Sequence, residues 1–312
     1  MKIDVSRLSA AVNDAHARHA QAPGGANASY IPYLAKVPSH LAGVAAVTVD
    51  GDQVVAGDAD YAFAIESISK VCSLVQALED HGPDAVREKI GADPTGLPFN
   101  SVMALALHDG KPLSPLVNAG AIATVSFLKA ANAEERWKKI LTMQSALAGA
   151  DIALSDEVNQ SEQTTNFHNR AIAWLLYSAS TMYSDPMEAC EVYTRQCSTL
   201  FTARHLATMA ATLAAKGRNP LTGKQVLKPE HVPSVLAEMM MEGLYERSGD
   251  WAYTVGLPGK SGVGGGIMAV VPGVMGLAAF SPPLDPAGNS VRGQLMVADV
   301  ARTLGLNLFD RA

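Results

Sequence analysis

Two pairs of apolar runs, near opposite ends of the 312-residue chain, have the pattern of β-hairpins. The first pair, residues 44–49 and 53–56, flanks an Asp-Gly step, which favours a tight turn between β-prone segments. The second pair, residues 266–271 and 274–280, is separated by a Pro-Gly step. The pattern therefore predicts one antiparallel hairpin from each end of the chain.

Between these hairpins, from about Ser67 to Lys216, apolar residues recur at helical spacing with short polar breaks. Similar spacing predicts a leading helix over residues 6–20 and a last helix over 291–304. Because strands come from both ends, the simplest architecture is an α+β fold with one antiparallel sheet flanked by helices. We expect a single unit over residues 1–312, with a discontinuous sheet lobe (1–75 and 220–312) and an inserted all-helical lobe (76–219).

Composition narrows the classes of function. Hydrophobic residues make up 48% of the chain, but charges are spread along it and no apolar run approaches the length of a membrane span. The start lacks a leader pattern, which favours a cytoplasmic location. A net charge of −6 without Lys/Arg clusters argues against nucleic acid as a partner. The cysteines, Cys72, Cys190 and Cys197, lack metal-ligand spacing, so we expect reduced thiols and no metal.

Ser67 and Lys70 form an S-x-x-K motif where a helix is predicted to begin. Residues three apart share a helix face, so the serine hydroxyl and the lysine amine can meet. A serine becomes an effective nucleophile when a neighbouring base takes its proton, and a lysine serves when burial or a nearby cation lowers its pKa. Alone the motif is weak, because a helix-capping serine and an exposed lysine give the same pattern.

A second block, residues 257–267, supplies the other half of such a site. Within it, Lys260-Ser261-Gly262 resembles the K-[ST]-G strand that faces S-x-x-K in penicillin-binding proteins and β-lactamases. Its glycines precede a β-like run and do not open a helix, which argues against a phosphate-binding or dinucleotide-binding loop. Together the two blocks favour a serine hydrolase.

Further blocks in a fixed order give a closer resemblance. From about Tyr30 to Gly293 the chain resembles the serine-dependent glutaminase family, and chance agreement over so many blocks is implausible. The blocks are Tyr30-Ile31-Pro32, Ser67 to Lys70, Gly96 to Ser101, Leu116 to Ile122, Ser161-Glu162, Asn169-Arg170-Ala171, Tyr193 to Ser198, Gly243-Leu244-Tyr245, the Lys260 block, Ser281 to Asp285 and Gly288 to Gly293.

This resemblance implies a β-lactamase-like fold and hydrolysis of L-glutamine to L-glutamate and ammonia through a γ-glutamyl-serine intermediate, without metal or organic cofactor. It also implies a homo-oligomer, a dimer or a tetramer. The implied catalytic roles are Ser67 as nucleophile, Lys70 as base, and Tyr193 and Tyr245 in proton transfer or substrate binding. The backbone N–H groups of Ser67 and Val263 are implied oxyanion donors, near the strand that carries Lys260 and Ser261. The implied head-group ligands are Asn118, Glu162 and Asn169, and Tyr30 is implied in the pocket wall.

The head-group assignment makes physical sense. An amino-acid zwitterion needs an anion for its ammonium group and amide donors for its carboxylate, which Glu162, Asn118 and Asn169 supply. Spaced seven apart, Glu162 and Asn169 are predicted to lie two turns apart on one helix face. Without the resemblance, the residues favour structural roles: Asn118 as the N-cap of the alanine-rich helix that follows, Glu162 as a first-turn carboxylate, and either tyrosine as a core residue.

Two positions depart from the family pattern: Glu66 stands where glutamine is usual, and Ser114 stands where asparagine is common. A carboxylate beside the nucleophile is expected to stabilise protonated Lys70 and shift the pH optimum upward, or to alter side-chain selectivity. Two alternatives stay open: another serine amidase, esterase or penicillin-recognising enzyme on the same fold, and an inactive protein that only keeps the fold.

Overall fold

The computed structural model describes residues 3–310, which form fourteen α-helices and seven β-strands. The strands are β1 (Gly43–Thr48), β2 (Gln53–Gly57), β3 (Phe63–Ala64), β4 (Leu200–Phe201), β5 (Gly259–Ser261), β6 (Gly266–Val271) and β7 (Met275–Phe280). The helices are α1 (Val5–His19), α2 (Pro32–Ala35), α3 (Ser69–His81), α4 (Pro83–Lys89), α5 (Met103–Leu107), α6 (Asn118–Phe127), α7 (Ala133–Ala148), α8 (Asp156–Gln163), α9 (Phe167–Ser178), α10 (Pro186–Cys197), α11 (Ala203–Ala214), α12 (Val232–Glu242), α13 (Ser248–Thr254) and α14 (Val291–Leu304).

Five strands form one antiparallel sheet in the order β2-β1-β7-β6-β5. The hairpins β1–β2 and β6–β7 are those that the turn patterns predicted. Strand β1 pairs with β7, with Gly43 opposite Phe280, so the two hairpins join in the middle of the sheet. The predicted α+β class and the sheet built from both ends of the chain are thus confirmed. A second sheet, β3 with β4, was not predicted because each strand has only two residues.

Both faces of the large sheet are buried against helices. Val44 and Ala46 pack in a cluster with residues of α1 and α14, whereas Ala45 and Val47 pack in the cluster that contains α11. A strand covered on both faces carries apolar residues at every position, which explains the uninterrupted apolar runs. Gly276 lets α11 approach closely, since a Cβ there would lie 2.2 Å from the Ala207 carbonyl oxygen.

The predicted first and last helices are confirmed as α1 and α14. Helix α11 belongs to the segment 76–219 and packs on β1, β6 and β7. The division of the chain into two lobes stays a prediction. Within residues 3–310, none of the helices combines the length and the apolar character that crossing a bilayer requires.

Candidate active site

Ser67 and Lys70 meet at the point where the chain leaves β3 and enters α3. Ser67 lies in a 3₁₀ turn, Glu66–Ile68, and Lys70 lies in the first turn of α3, so the helix begins two residues later than the motif alone suggested. Lys70 Nζ and Ser67 Oγ are 2.5 Å apart, and both side chains are buried. Burial lowers the pKa of Lys70 to about 8. A short bond to an amine of lowered basicity fits a hydroxyl–base pair.

Lys260 and Ser261 lie on β5, the edge strand beside this turn. Lys260 Nζ donates to the carbonyl oxygens of Ser261 (2.7 Å) and Gly243 (3.0 Å) and lies 4.4 Å from the centre of the Tyr245 ring. Burial, and then repulsion from Lys70, bring the pKa of Lys260 well below its usual value. For Lys70 itself, burial lowers the pKa, and the nearby acidic groups oppose that shift.

The glycine-rich loop after β5 packs against the backbone that precedes Ser67. A Cβ at Gly264 would lie 2.1 Å from the carbonyl oxygen of Ala64, and a Cβ at Gly262 would lie 2.7 Å from that of Ile65. Only residues without side chains fit at this distance. The close approach brings Val263 into the wall of the cavity that Ser67 lines.

That cavity has a volume of about 70 Å³ and contains most of the sequence-predicted site residues. Lys70 contacts Ser67 outside this lining, and Tyr245 and Lys260 both donate to the Ser261 carbonyl oxygen. The lining residues are Tyr30, Ile31, Glu66, Ser67, Phe99, Asn118, Glu162, Asn169, Tyr193, Thr194, Cys197 and Val263.

Three polar side chains in the wall form a hydrogen-bonded chain. Tyr193 Oη donates to Asn118 Oδ1 at 3.2 Å, and Asn118 Nδ2 donates to Asn169 Oδ1 at 2.9 Å. Asn118 is the first residue of α6, whereas the N-cap position belongs to Val117. The capping interpretation of Asn118 is therefore wrong, because its amide turns into the cavity.

The prediction that Glu162 and Asn169 share one helix is also wrong. Glu162 lies on α8 and Asn169 on α9. The threonines that follow α8 explain the break, since the hydroxyls of Thr164 and Thr165 both donate to the Ser161 carbonyl oxygen. Side-chain bonds of this kind compete with helix continuation. The bend nevertheless leaves both residues facing the same cavity.

Tyr245 is held by contacts that the sequence did not specify. Its hydroxyl donates to the carbonyl oxygen of Ser261 at 3.3 Å, and its ring centre lies 4.6 Å from that of Phe99. The Phe99 carbonyl oxygen accepts a hydrogen bond from the Asn118 N–H at 2.8 Å. Phe99 lies in a recognised sequence block but was given no role, because stacking between distant segments leaves no local pattern.

Two residues of the site have left-handed backbone conformations, Glu66 with φ 52° and Tyr245 with φ 57°. This region is costly for residues other than glycine, and such residues are enriched at functional sites. Glu66 is 4% exposed and lines the cavity next to Ser67. The site thus contains a buried carboxyl group at a position that the sequence marked only as a departure from the family pattern.

The cysteine thiols and His168 are the other candidate reactive groups. Cys72, Cys190 and Cys197 are free and buried, and burial raises the pKa of Cys197 to about 12, so its thiol stays neutral beside the cavity. His168 lies outside the cavity lining and contacts the Asn100 carbonyl oxygen at 2.6 Å. Across residues 3–310, no group of three or more His, Cys, Asp or Glu side chains is placed to hold a metal ion.

Comparison with known proteins agrees with this arrangement. The family model described as Glutaminase matches residues 25–309. The chain is 99% identical over 312 residues, the whole of both chains, to the glutaminase of Bordetella avium (strain 197N). It superposes with a TM-score of 0.98 on a solved structure described as probable glutaminase ybaS, at 69% identity and over 99% of this chain and 100% of that one.

A more distant structure has the same fold. A probable glutaminase from Bacillus subtilis, complexed with 6-diazo-5-oxo-L-norleucine, is 31% identical and superposes with a TM-score of 0.86 over 97% of this chain and 96% of that one. The fold is therefore β-lactamase-like, as in the bacterial glutaminases, and the protein is a hydrolase that acts on an amide. The chain belongs to the glutaminase family.

Proposed function

We propose that this protein hydrolyses L-glutamine to L-glutamate and ammonia through a γ-glutamyl ester on Ser67, with Lys70 as the base. The observation that carries the proposal is the 2.5 Å contact between Lys70 Nζ and Ser67 Oγ inside a buried site. A lysine with a pKa of about 8 is neutral in an appreciable fraction of molecules near neutral pH. The free amine then takes the serine proton as the oxygen attacks the amide carbon.

The transient oxyanion is expected to rest on the backbone N–H groups of Ser67 and Val263. Donors fixed before the reaction stabilise developing charge at little reorganisation cost. Lys70, with Tyr193 and Tyr245 beside it, returns a proton to the leaving nitrogen, and ammonia departs. Water then attacks the ester carbon as Lys70 takes its proton, the bond between Ser67 Oγ and that carbon breaks, Ser67 regains a proton from Lys70, and glutamate is released. No metal or organic cofactor is required for these steps.

The substrate head group is expected to bind on the side of the cavity away from Lys260. Glu162 supplies a negative charge for the ammonium group, and the amides of Asn118 and Asn169 supply donors for the carboxylate. Tyr30 closes the same wall. The related Bacillus subtilis structure holds 6-diazo-5-oxo-L-norleucine, an L-amino acid with a side-chain carbonyl at the position of the glutamine amide carbon. This similarity supports glutamine as substrate.

Replacement of Ser67 by alanine tests the proposal directly. Ser67→Ala should lower ammonia release at least about 10⁴-fold, because removal of a serine nucleophile leaves only binding and oxyanion stabilisation. Ser69→Ala is the matched control. Ser69 directly precedes Lys70, is buried and contacts Cys197. Rapid-quench mass spectrometry should find a γ-glutamyl adduct on Ser67 in the wild-type protein. Comparable turnover in both variants would remove Ser67 from the mechanism.

We also propose that the protein assembles as a homo-oligomer, a dimer or a tetramer. Helix α9 exposes Phe167 (69%), Trp174 (52%) and Tyr177 (57%), and Leu107 of the neighbouring α5 is 63% exposed. Apolar patches of this kind mark interfaces in soluble proteins, and most soluble oligomers are symmetric assemblies of one chain. Light scattering after size-exclusion chromatography should give a multiple of the 32.7 kDa chain mass and a lower mass for Trp174→Glu.

A cytoplasmic location is proposed as well. All three cysteines are free thiols and are buried, which suits a reducing compartment. Cell fractionation with periplasmic and cytoplasmic marker enzymes tests the location.

A further inference from the structure

Glu66 and Glu162 face one another across the wall of the cavity, beside Ser67. The two carboxyl groups lie close enough that each shifts the pKa of the other. Within residues 3–310, Oε1 of each carboxyl group is buried and has no hydrogen-bond partner. Glu66 is 4% exposed, and a Cβ at Gly264 would lie 3.3 Å from its Cγ, so the glycine loop confines it to this position.

Two carboxylates cannot hydrogen-bond to one another, because an ionised carboxyl group only accepts. A hydrogen bond between the two carboxyl groups therefore requires one proton between them. Ionising both groups side by side in a buried site would cost free energy, because the two negative charges repel. Burial, and then repulsion from Glu162, raise the pKa of Glu66 well above its usual value, while Lys70 opposes the shift. Burial also raises the pKa of Glu162, and the bond from Glu66 opposes that shift.

Apart from Glu162, the titratable groups around Glu66 carry no negative charge. The pair is therefore the main source of negative charge at this point of the site. Burial raises the pKa values of the nearby tyrosine hydroxyls and of the cysteine thiol, so these groups stay neutral. Lys70, when it is protonated, is the cation that faces the pair. The facing groups are Glu162 on α8, Lys70 on α3, Tyr193 and Cys197 on α10, Tyr245 in the 3₁₀ turn Tyr245–Arg247 and Tyr30 in the segment before α2.

We propose that Glu66 is a positioning residue that shares one proton with Glu162: it stays a neutral acid, donates to Glu162, and leaves a single negative charge for the substrate ammonium group. This inference rests on the proposed binding role of Glu162. The neutral acid orients the Glu162 carboxylate and keeps a second negative charge away from Ser67 and Lys70. A glutamine at position 66 would supply a similar donor without a titrating proton, whereas glutamate makes the donor dependent on pH.

The direction of the pH effect follows from the charges. When Glu66 loses its proton, the donor to Glu162 disappears and a carboxylate appears beside the nucleophile. That carboxylate favours the protonated form of Lys70, so less free base is present. Activity should therefore fall on the alkaline side, where Lys70 alone would favour an increase. The earlier expectation of an upward shift of the pH optimum assumed that Glu66 is ionised throughout, and the proposal reverses it.

The kinetic test compares pH profiles of the wild-type protein, Glu66→Gln and Glu66→Ala, each normalised to its own kcat/KM at pH 6. Above the ionisation of Glu66 the wild-type kcat/KM should fall about tenfold per pH unit, as for loss of one essential proton. The Glu66→Gln profile should rise as Lys70 loses its proton and then stay level, without the alkaline fall. KM should rise more in Glu66→Ala than in Glu66→Gln, because only the amide can still donate to Glu162. An alkaline decline that is the same in Glu66→Gln and wild type would overturn the proposal.

Infrared spectroscopy provides a test that does not depend on activity. The wild-type minus Glu66→Gln difference spectrum at pH 7 should contain the carbonyl stretch of one protonated carboxyl group. The subtraction cancels signals that both proteins share, such as those of Glu238 and Glu242. In Glu162→Gln this band should disappear at a lower pH, because the repelling neighbour is gone. Absence of the band, or a titration that Glu162→Gln leaves unchanged, would contradict the shared proton. If the wild-type protein releases no ammonia, the proposed function fails, and these spectra alone decide the protonation state.

Discussion

Two pairs of glutamates with buried carboxyl oxygens adjoin the active site, and they differ in how these oxygens are satisfied. Glu238 and Glu242 lie one turn apart on α12, where Glu238 accepts from Ser114 Oγ at 2.8 Å and Glu242 accepts from the Thr95 N–H at 2.7 Å. The cavity pair, Glu66 and Glu162, keeps one buried oxygen on each side chain without a partner in the part of the chain that the structure describes.

Under the proposed function, this difference separates acids with a structural role from acids that a ligand completes. A buried oxygen without a partner costs about 1–3 kcal/mol, and in the cavity the proposed substrate can satisfy it. The α12 pair instead ties both ends of the segment 95–114 to a helix. Phe99 lies in that segment and packs on Tyr245. Raised carboxyl pKa values alone do not distinguish the two pairs, whereas the donors around them do.

The largest expected contrast between the pairs is in substrate affinity. Glu162→Gln should lower kcat/KM for L-glutamine about 10³-fold, corresponding to about 4 kcal/mol, because the substrate ammonium group loses a buried counter-charge. The loss should appear mainly in KM. Glu238→Gln is the matched variant, since it removes a buried carboxylate outside the cavity lining and should change kcat/KM less than about threefold. Steady-state ammonia assays measure both, and similar KM values would end the distinction between the pairs.

The next largest effect concerns the pH dependence of stability. Burial raises the pKa of Glu238 from 4.5 to about 7. The folded protein therefore binds more protons than the unfolded chain between these pH values, so the free energy of unfolding falls as the pH rises through that range. For one such group the fall is about 3 kcal/mol, since one pKa unit corresponds to about 1.4 kcal/mol. Urea denaturation at pH 5 and pH 8 should show a smaller difference for Glu238→Gln than for wild type.

The same pH range contains the ionisation of Glu242, whose pKa burial also raises to about 7. Glu242→Gln should reduce the pH dependence by a similar amount, and the double variant should reduce it further. If both single variants keep the full wild-type difference between pH 5 and pH 8, the acids on α12 do not titrate with folding.

A smaller effect is expected when the donor to Glu238 is removed. Ser114→Ala should destabilise the protein by about 1–2 kcal/mol, because it leaves a buried carboxyl oxygen without its hydroxyl partner. The cost should be larger at pH 8 than at pH 5, since the hydroxyl favours the ionised form of Glu238. Thr95→Ala is the comparison variant, because Thr95 binds Glu242 through its main-chain N–H. Equal losses for the two variants would argue against a specific role for the Ser114 hydroxyl.

The sequence predicted those parts of the molecule that local patterns determine. Both hairpins, α1 and α14 were recovered, since turn residues and apolar spacing are read within a short window. The Ser67–Lys70 contact was also anticipated, because three positions on a helical turn bring side chains together whether the turn is 3₁₀ or α. The β3–β4 sheet was missed, because a two-residue strand carries no period.

The site was less predictable where it depends on distant segments. Glu162 and Asn169 are seven residues apart, but the threonine bonds that end α8 were not evident from spacing. Glu66 was noticed as a departure from the family pattern, yet its contact with Glu162 joins residues 96 positions apart and can be seen only in three dimensions. Sequence blocks thus indicated which residues gather at the site, while their hydrogen-bond partners required the structure.

The smallest expected effect tests whether Glu238 and Glu242 on α12 support the cavity pair, Glu66 and Glu162, by holding Phe99 in place. Phe99→Leu should lower kcat/KM about fivefold, since a tilted aromatic pair contributes about 0.5–1.5 kcal/mol. Phe309→Leu is the control, because Phe309 is 71% exposed and lies outside the cavity lining. If Ser114 holds the segment that carries Phe99, Ser114→Ala should also lower kcat/KM, and the double variant should lose less than the two single variants combined. Strict additivity would mean that the α12 pair stabilises the fold without positioning the wall of the cavity.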